Sequence, residues 1–67
     1  MQKKFYNVVI RWKDEPDQTH ERTIKVGEYS NEIEDNGIFF YVESEEKLQD
    51  LMQEDNGEDF VITQILD

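Results

Sequence analysis

The chain has 67 residues, with 17 acidic against 7 basic residues, a formal net charge of −10 and no cysteine. A chain of this length forms one domain with a small core, because folding at this size buries only about 60% of the surface that the unfolded chain exposes. The lack of cysteine excludes disulfides and thiolate metal sites. We therefore expect a single domain over residues 1–67, and association with a partner remains as one possible source of additional stability.

The charge is divided unequally along the chain. Residues 1–27 carry six basic and four acidic residues, whereas residues 28–67 carry thirteen acidic residues and one basic residue, Lys47. Such a surface repels nucleic acid and anionic lipid, so it argues against direct binding to either and favours solubility or a basic partner. The amino terminus lacks the apolar segment of a signal peptide, and no stretch approaches the ~20 apolar residues that span a bilayer. These features predict a cytoplasmic protein.

Two alternating stretches predict the first two strands. Apolar and polar residues alternate from Phe5 to Lys13, and again from about His20 to Val26. The acidic, proline-containing segment 14–18 between them is typical of a turn. Gly27 ends or bends the second strand. The following stretch, Glu28 to Glu34, has no clear periodicity, and we expect an irregular or edge segment there.

The run from Ile38 to Val42 is the only one of five consecutive apolar or aromatic residues, and it predicts an interior strand. Asp35-Asn36-Gly37, directly before it, is typical of a tight hairpin. Ser44, directly after Glu43, is a good N-cap and predicts a helix that runs to about Asp55.

The predicted helix has a narrow apolar stripe formed by Leu48, Leu51 and Met52, and Asn56-Gly57 is suited to closing it. A last strand is predicted from Phe60 to Leu66. The order β-β-β-α-β predicts an α+β domain: a four-stranded, mostly antiparallel sheet with one helix on one face. We expect the last strand to lie parallel to the first strand or beside the third.

One helix covers one face of such a sheet and leaves the other open. The predicted covered face consists of Val8, Ile10, Trp12, Ile24, Val26, Ile38, Phe40 and Val42. The predicted open face consists of Phe5, Val9, Phe39 and Tyr41, with Val61 or Ile65 according to register. An apolar face of this kind favours a homodimer or a docked partner, with Phe39 and Tyr41 as anchors. The alternative is that Glu28 to Glu34, with Tyr29 and Ile33, folds back over it.

No pattern of residues predicts catalysis, a cofactor or a metal site. The single histidine, His20, lies at the edge of a turn, and Ser44 is better explained as a helix cap than as a nucleophile. Glu32, Glu34, Asn36, Gly37 and Glu43 match positions of a calcium-binding EF-hand loop. The predicted strand occupies the second half of that loop, so we interpret the match as coincidence. A non-enzymatic protein is expected.

The acidic residues around the helix are the main functional signal. Glu46, Asp50 and Glu54 recur every four residues, which places them in one row of a helix, although like charges at this spacing destabilise it by about 0.2–0.5 kcal/mol per pair. A protein that imitates the phosphates of a nucleic acid needs such a row. The predicted partner-binding residues are Glu43, Glu46, Asp50, Glu54, Asp55, Glu58 and Asp59.

In size and charge the chain resembles the small phage-encoded inhibitors that occupy nucleic-acid-binding sites, such as anti-restriction and anti-CRISPR proteins. The resemblance implies a basic, nucleic-acid-binding protein as the partner. The alternative function is that of a small structural or adaptor domain, which dimerises or docks through the open apolar face of its sheet.

Overall fold

A computed structural model describes residues 5–27 and 37–66 of the chain. The strands are β1 (Phe5–Trp12), β2 (His20–Val26), β3 (Ile38–Val42) and β4 (Phe60–Ile65), and the helix α1 (Glu45–Asp50) lies between β3 and β4. The chain is therefore a small α+β domain with the predicted order β-β-β-α-β.

The four strands form one mixed sheet in the order β3-β2-β1-β4. β1 pairs antiparallel with both β2 and β4, whereas β2 and β3 are parallel. One topological prediction is wrong: β4 lies beside β1 and antiparallel to it, and so it is neither parallel to the first strand nor beside the third. Of the predicted hairpin turn, Asp35 and Asn36 lie outside the described residues.

The segment from β3 to β4 crosses the whole sheet. β3 and β4 lie at opposite edges, and the three pairings make them parallel to each other. The connection must therefore span three strand spacings, roughly 14 Å. We call residues 43–59 the acidic crossover.

The core lies between the sheet and this crossover. Its buried residues are Val8, Ile10, Ile24, Val42, Leu48, Leu51, Phe60 and Ile62. β1 supplies Val8 and Ile10, which alternate as predicted, and the crossover supplies Leu48 and Leu51. Burial of these apolar side chains is the main force that holds the crossover on the sheet.

The face of Phe39 was predicted wrongly. The pairing with β2 steps from Ile38 opposite Thr23 to Phe40 opposite Ile24, so Phe39 is an extra residue in the strand. Such a bulge interrupts the alternation of side chains. The Phe39 ring packs edge-on against Trp12, at 5.7 Å between centroids, and against Phe60, at 5.0 Å, on the core side. The bulge also makes the predicted face of Ile38 wrong. Ile38 lies opposite Thr23, whose hydroxyl donates to the Asn7 side chain on the open face of the sheet, and not on the covered face.

The helix begins as predicted but ends early. The Ser44 hydroxyl accepts a hydrogen bond from the Lys47 backbone N–H at 3.3 Å, and α1 ends at Asp50 instead of near Asp55. In a longer helix the Leu51 carbonyl would accept from the backbone N–H four residues later. Here it accepts from the Ile62 backbone N–H and from the Asn56 side chain, both at 3.0 Å. Tertiary bonds thus replace the helical one.

Candidate functional site

The predicted partner-binding acids lie on the outer side of the acidic crossover. Leu48 and Leu51 point to the sheet and are 1% and 2% exposed. Of the predicted acids, all are exposed except Glu58, which is half-buried. Glu43 follows β3, Glu46 and Asp50 lie on α1, and the other four lie in the loop that leads to β4. The acids therefore follow the crossover across the sheet.

The predicted row of Glu46, Asp50 and Glu54 on one helix face is wrong. The helix ends at Asp50, so Glu54 does not continue the spacing of the first two. The like-charge repulsion expected within the helix is limited to the Glu46–Asp50 pair. The carboxylates are arranged by the path of the chain and not by helical periodicity.

Glu54 has a structural partner. Its carboxylate forms an ion pair and hydrogen bond with the Arg11 guanidinium, which links the crossover to β1. The Glu54 side chain is 70% exposed, and ion pairs at that exposure contribute about 0–1 kcal/mol to stability. Among the predicted acids of the crossover, Glu54 is the only one that pairs with a cation within residues 5–27 and 37–66.

Asn56 holds the loop between α1 and β4. Its side-chain nitrogen donates to the Leu51 carbonyl at 3.0 Å and to the Phe60 carbonyl at 2.9 Å. Its side-chain oxygen accepts from the Glu58 backbone N–H at 2.8 Å and from the Lys13 Nζ at 3.1 Å. These four bonds use both donors of the amide and both lone pairs of its oxygen. The sequence pattern predicted only a helix end here.

Glu45 was not among the predicted binding residues, but it has a defined partner. The Tyr6 hydroxyl of β1 donates to its carboxylate at 2.6 Å. That hydrogen bond, with lesser contributions from burial and from the negative charge of Glu45, raises the pKa of Tyr6 above its usual value. The bond connects the first turn of α1 to the sheet.

An open pocket of about 470 Å³ lies at the end of β1 nearest to the start of β4. It is lined by Trp12, Lys13, Asp14, Glu15 and Asp59. The Lys13 backbone N–H donates to the Asp59 carbonyl at 2.9 Å, which holds the two sides of the pocket together. The lining residues thus carry three carboxylates, one ammonium and a half-buried indole, and their net charge is negative.

Ser44, His20 and the residues of the EF-hand match were considered above for catalysis or metal binding. The Ser44 hydroxyl caps α1. His20 pairs with Ile10 in the sheet, and its Nε2 is buried without a hydrogen-bond partner among the described residues. No group of three or more potential metal ligands occurs in residues 5–27 and 37–66. Of the EF-hand match, Glu32, Glu34 and Asn36 lie outside those residues, and β3 occupies the second half of the loop.

The open face of the sheet retains three of its four predicted residues. Phe5 is 47% exposed, and Val9 and Tyr41 are half-buried, whereas Phe39 packs on the other side. Val61 and Lys25, which share the open face, are 3% and 6% exposed. The alternative that Glu28 to Glu34 covers this face concerns residues outside the described ones.

Comparisons of the chain with protein-family models, curated protein sequences and solved structures gave no match. Among the residues that the structure describes, no helix is long and apolar enough to cross a membrane.

Proposed function

We propose that this chain is a cytoplasmic, non-enzymatic inhibitor whose acidic crossover occupies the basic nucleic-acid-binding surface of a protein target. Proteins of this kind are used by phages and mobile elements against host defence. The partner is a basic protein, and the same charge disfavours direct binding to nucleic acid or to membranes.

One observation carries the proposal: the outer side of the crossover presents carboxylates that the described cations do not neutralise. Residues 43–59 contain eight acids and one lysine. Of the nearby cations, Arg11 pairs with one of these acids, Glu54, and Lys13 bonds to the side-chain oxygen of Asn56, so the other seven acids pair with no cation of the described residues. Exposed carboxylates spaced across one side of a domain match the way in which a nucleic acid presents phosphates to Lys and Arg side chains.

The pocket beside Asp59 supports the same partner chemistry. Trp12 offers an aromatic surface, and Asp14 and Glu15 add carboxylates to those of the crossover. An arginine of a basic partner would find both a π-surface and acceptors there. The negative surface would then extend from α1 past the start of β4 to the turn after β1.

The test is a charge reversal with a matched control. The double variant Glu46→Lys with Asp50→Lys changes two exposed acids of the crossover. The control, Asp17→Lys with Glu21→Lys, changes two exposed acids outside it and shifts the net charge equally. Immobilised parent protein should retain nucleic-acid-binding proteins that duplex DNA or structured RNA releases. The crossover variant should lose them, and the control should keep them.

The salt dependence provides a second readout. Retention through exposed charges should weaken steeply as the ionic strength rises, because the Debye length falls from ~10 Å at 0.1 M to ~3 Å at 1 M salt. Retention by both double variants, or retention that nucleic acid does not compete with, would contradict the proposal.

The second candidate function is docking through the open face of the sheet. Phe5 and Leu66 are 47% and 43% exposed, and the Leu66 N–H donates to the carbonyl of Asn7 in β1. Sedimentation at tens of micromolar of the parent and of Phe5→Asp tests it. Phe39→Asp is unsuitable because Phe39 packs against the core. A dimer that Phe5→Asp dissociates and Met52→Asp does not would favour this function.

A further inference from the structure

Asn56-Gly57 combines a reactive dipeptide with a fully bonded side chain. Asparagine before glycine deamidates readily, since glycine has no side chain to hinder its backbone nitrogen and adopts many conformations. The chain contains two such pairs, Asn36-Gly37 and Asn56-Gly57. Asn56 is half-buried and Gly57 is exposed, so solvent reaches this part of the loop.

Deamidation proceeds through a cyclic succinimide. The backbone nitrogen of Gly57 loses its proton to base and attacks the side-chain carbonyl carbon of Asn56. A C–N bond forms, the side-chain nitrogen takes up a proton and leaves as ammonia, and a succinimide ring remains. Water then opens the ring at one of its two carbonyls, which yields aspartate or isoaspartate. The side-chain amide must be free to turn toward the Gly57 nitrogen.

The fold opposes that rotation. The leaving nitrogen donates to the Leu51 and Phe60 carbonyls at 3.0 and 2.9 Å. The side-chain oxygen is held by the Glu58 N–H at 2.8 Å and the Lys13 Nζ at 3.1 Å. Turning the amide toward Gly57 breaks these bonds and leaves buried or half-buried polar groups without partners.

We infer that Asn56 is a deamidation site that the folded loop protects, and that its modification releases the loop from α1 and β4. The reaction follows local opening of the crossover, as for other protected backbone segments. The product cannot restore the contacts, because an ionised aspartate is only an acceptor and would face the Leu51 and Phe60 carbonyls. Each event also adds a negative charge to the crossover.

The first test compares rates in the parent chain. The full chain is incubated in mildly alkaline buffer with and without concentrated urea, and deamidation at each asparagine is followed by peptide mass spectrometry. In urea, Asn56 and Asn36 should react at similar rates. In native buffer, Asn56 should react at least about tenfold more slowly than in urea, because opening first breaks several hydrogen bonds. Equal rates at Asn56 in the two buffers would overturn the inference.

The second test concerns the product. Asn56→Asp introduces the product side chain directly, and Gln53→Glu makes the same amide-to-acid change at an exposed position of the same loop. Asn56→Asp should unfold at a clearly lower urea concentration than the parent, and Gln53→Glu at nearly the parent concentration. Equal midpoints for the two variants would contradict the release of the loop. If Asn56→Asp does not fold, the rates measured on the parent chain still decide whether the site is protected.

Discussion

The pair of strands β1 and β2 and the acidic crossover are held in place in different ways. β1 and β2 form a regular ladder from Phe5 opposite Lys25 to Ile10 opposite His20. The crossover has a short helix, two fully buried side chains, Leu48 and Leu51, and a few bonds from side chains to the backbone. The ladder distributes its stability over many similar contacts, whereas the crossover depends on a few individual residues.

The largest loss of stability should come from substitutions in the core, to which both regions contribute side chains. Leu48→Ala in the crossover and Ile10→Ala in β1 both remove side chains that are at most 1% exposed. Each should lower the free energy of unfolding by about 2–5 kcal/mol, as measured by urea denaturation. A domain of this size has only a few kcal/mol of stability, so both variants should be partly unfolded.

Met52→Ala provides the control for the core variants, because Met52 is 37% exposed and should be nearly neutral. If Leu48→Ala cost no more than Met52→Ala, the crossover would be only loosely attached. The molecule would then consist of a folded sheet and a detached loop.

The next largest loss of stability should come from a substitution of Asn56. Asn56→Ala removes four hydrogen bonds and leaves the Phe60 carbonyl without its side-chain donor. We expect a loss of about 1–3 kcal/mol in the free energy of unfolding. Hydrogen exchange should show faster exchange at the Ile62 N–H, which bonds to the Leu51 carbonyl, than at the amides of β1 and β2. Uniform acceleration over all strands would contradict a local role.

The features that were predicted correctly from the sequence differ in kind from those that were predicted wrongly. The alternation of Val8 and Ile10 and the Ser44 cap depend on neighbours in the chain, and they predicted β1 and the start of α1. The bulge at Phe39 and the end of the helix before Leu51 depend on partners distant in sequence, Ile24 and Ile62. Local patterns carry no information on such partners, so the helix length and the face of Phe39 were predicted wrongly.

The candidate site was predictable from the sequence only in part. The acidic composition of residues 43–59 was visible in the sequence, and it predicted where carboxylates concentrate. The contacts that individual carboxylates make were not visible in the sequence. Glu54 pairs with Arg11 and Glu45 accepts from Tyr6, and both contacts join residues about forty positions apart.

A smaller effect is expected from the ion pair between the two regions. Arg11→Met and Glu54→Gln each remove one partner of the pair and should each change the free energy of unfolding by about 0–1 kcal/mol. The double variant should cost less than the sum of the single variants, because the two residues act on one contact. The measurement is a double-mutant cycle at low salt. Strict additivity would show that the pair contributes nothing.

The smallest expected effect is on pH dependence, and it concerns the bond from Tyr6 to Glu45. This hydrogen bond, together with lesser contributions from burial and the Glu45 charge, raises the pKa of Tyr6 in the folded state. A raised pKa means that the folded state favours the neutral phenol. The resulting stabilisation is fully present below the unfolded pKa of about 10, and it is lost as the pH rises through the higher folded value.

Tyr6→Phe tests this dependence. The parent should lose stability relative to Tyr6→Phe as the pH rises above about 10, because only the parent must ionise Tyr6 beside a carboxylate. The absorbance of ionised tyrosine gives an independent readout in the folded state. The difference between the parent and Tyr6→Phe should titrate at a higher pH than free tyrosine, and Glu45→Gln should bring it back toward the usual value. A difference titration at the usual pKa would mean that the first turn of α1 is not bonded to β1 in solution.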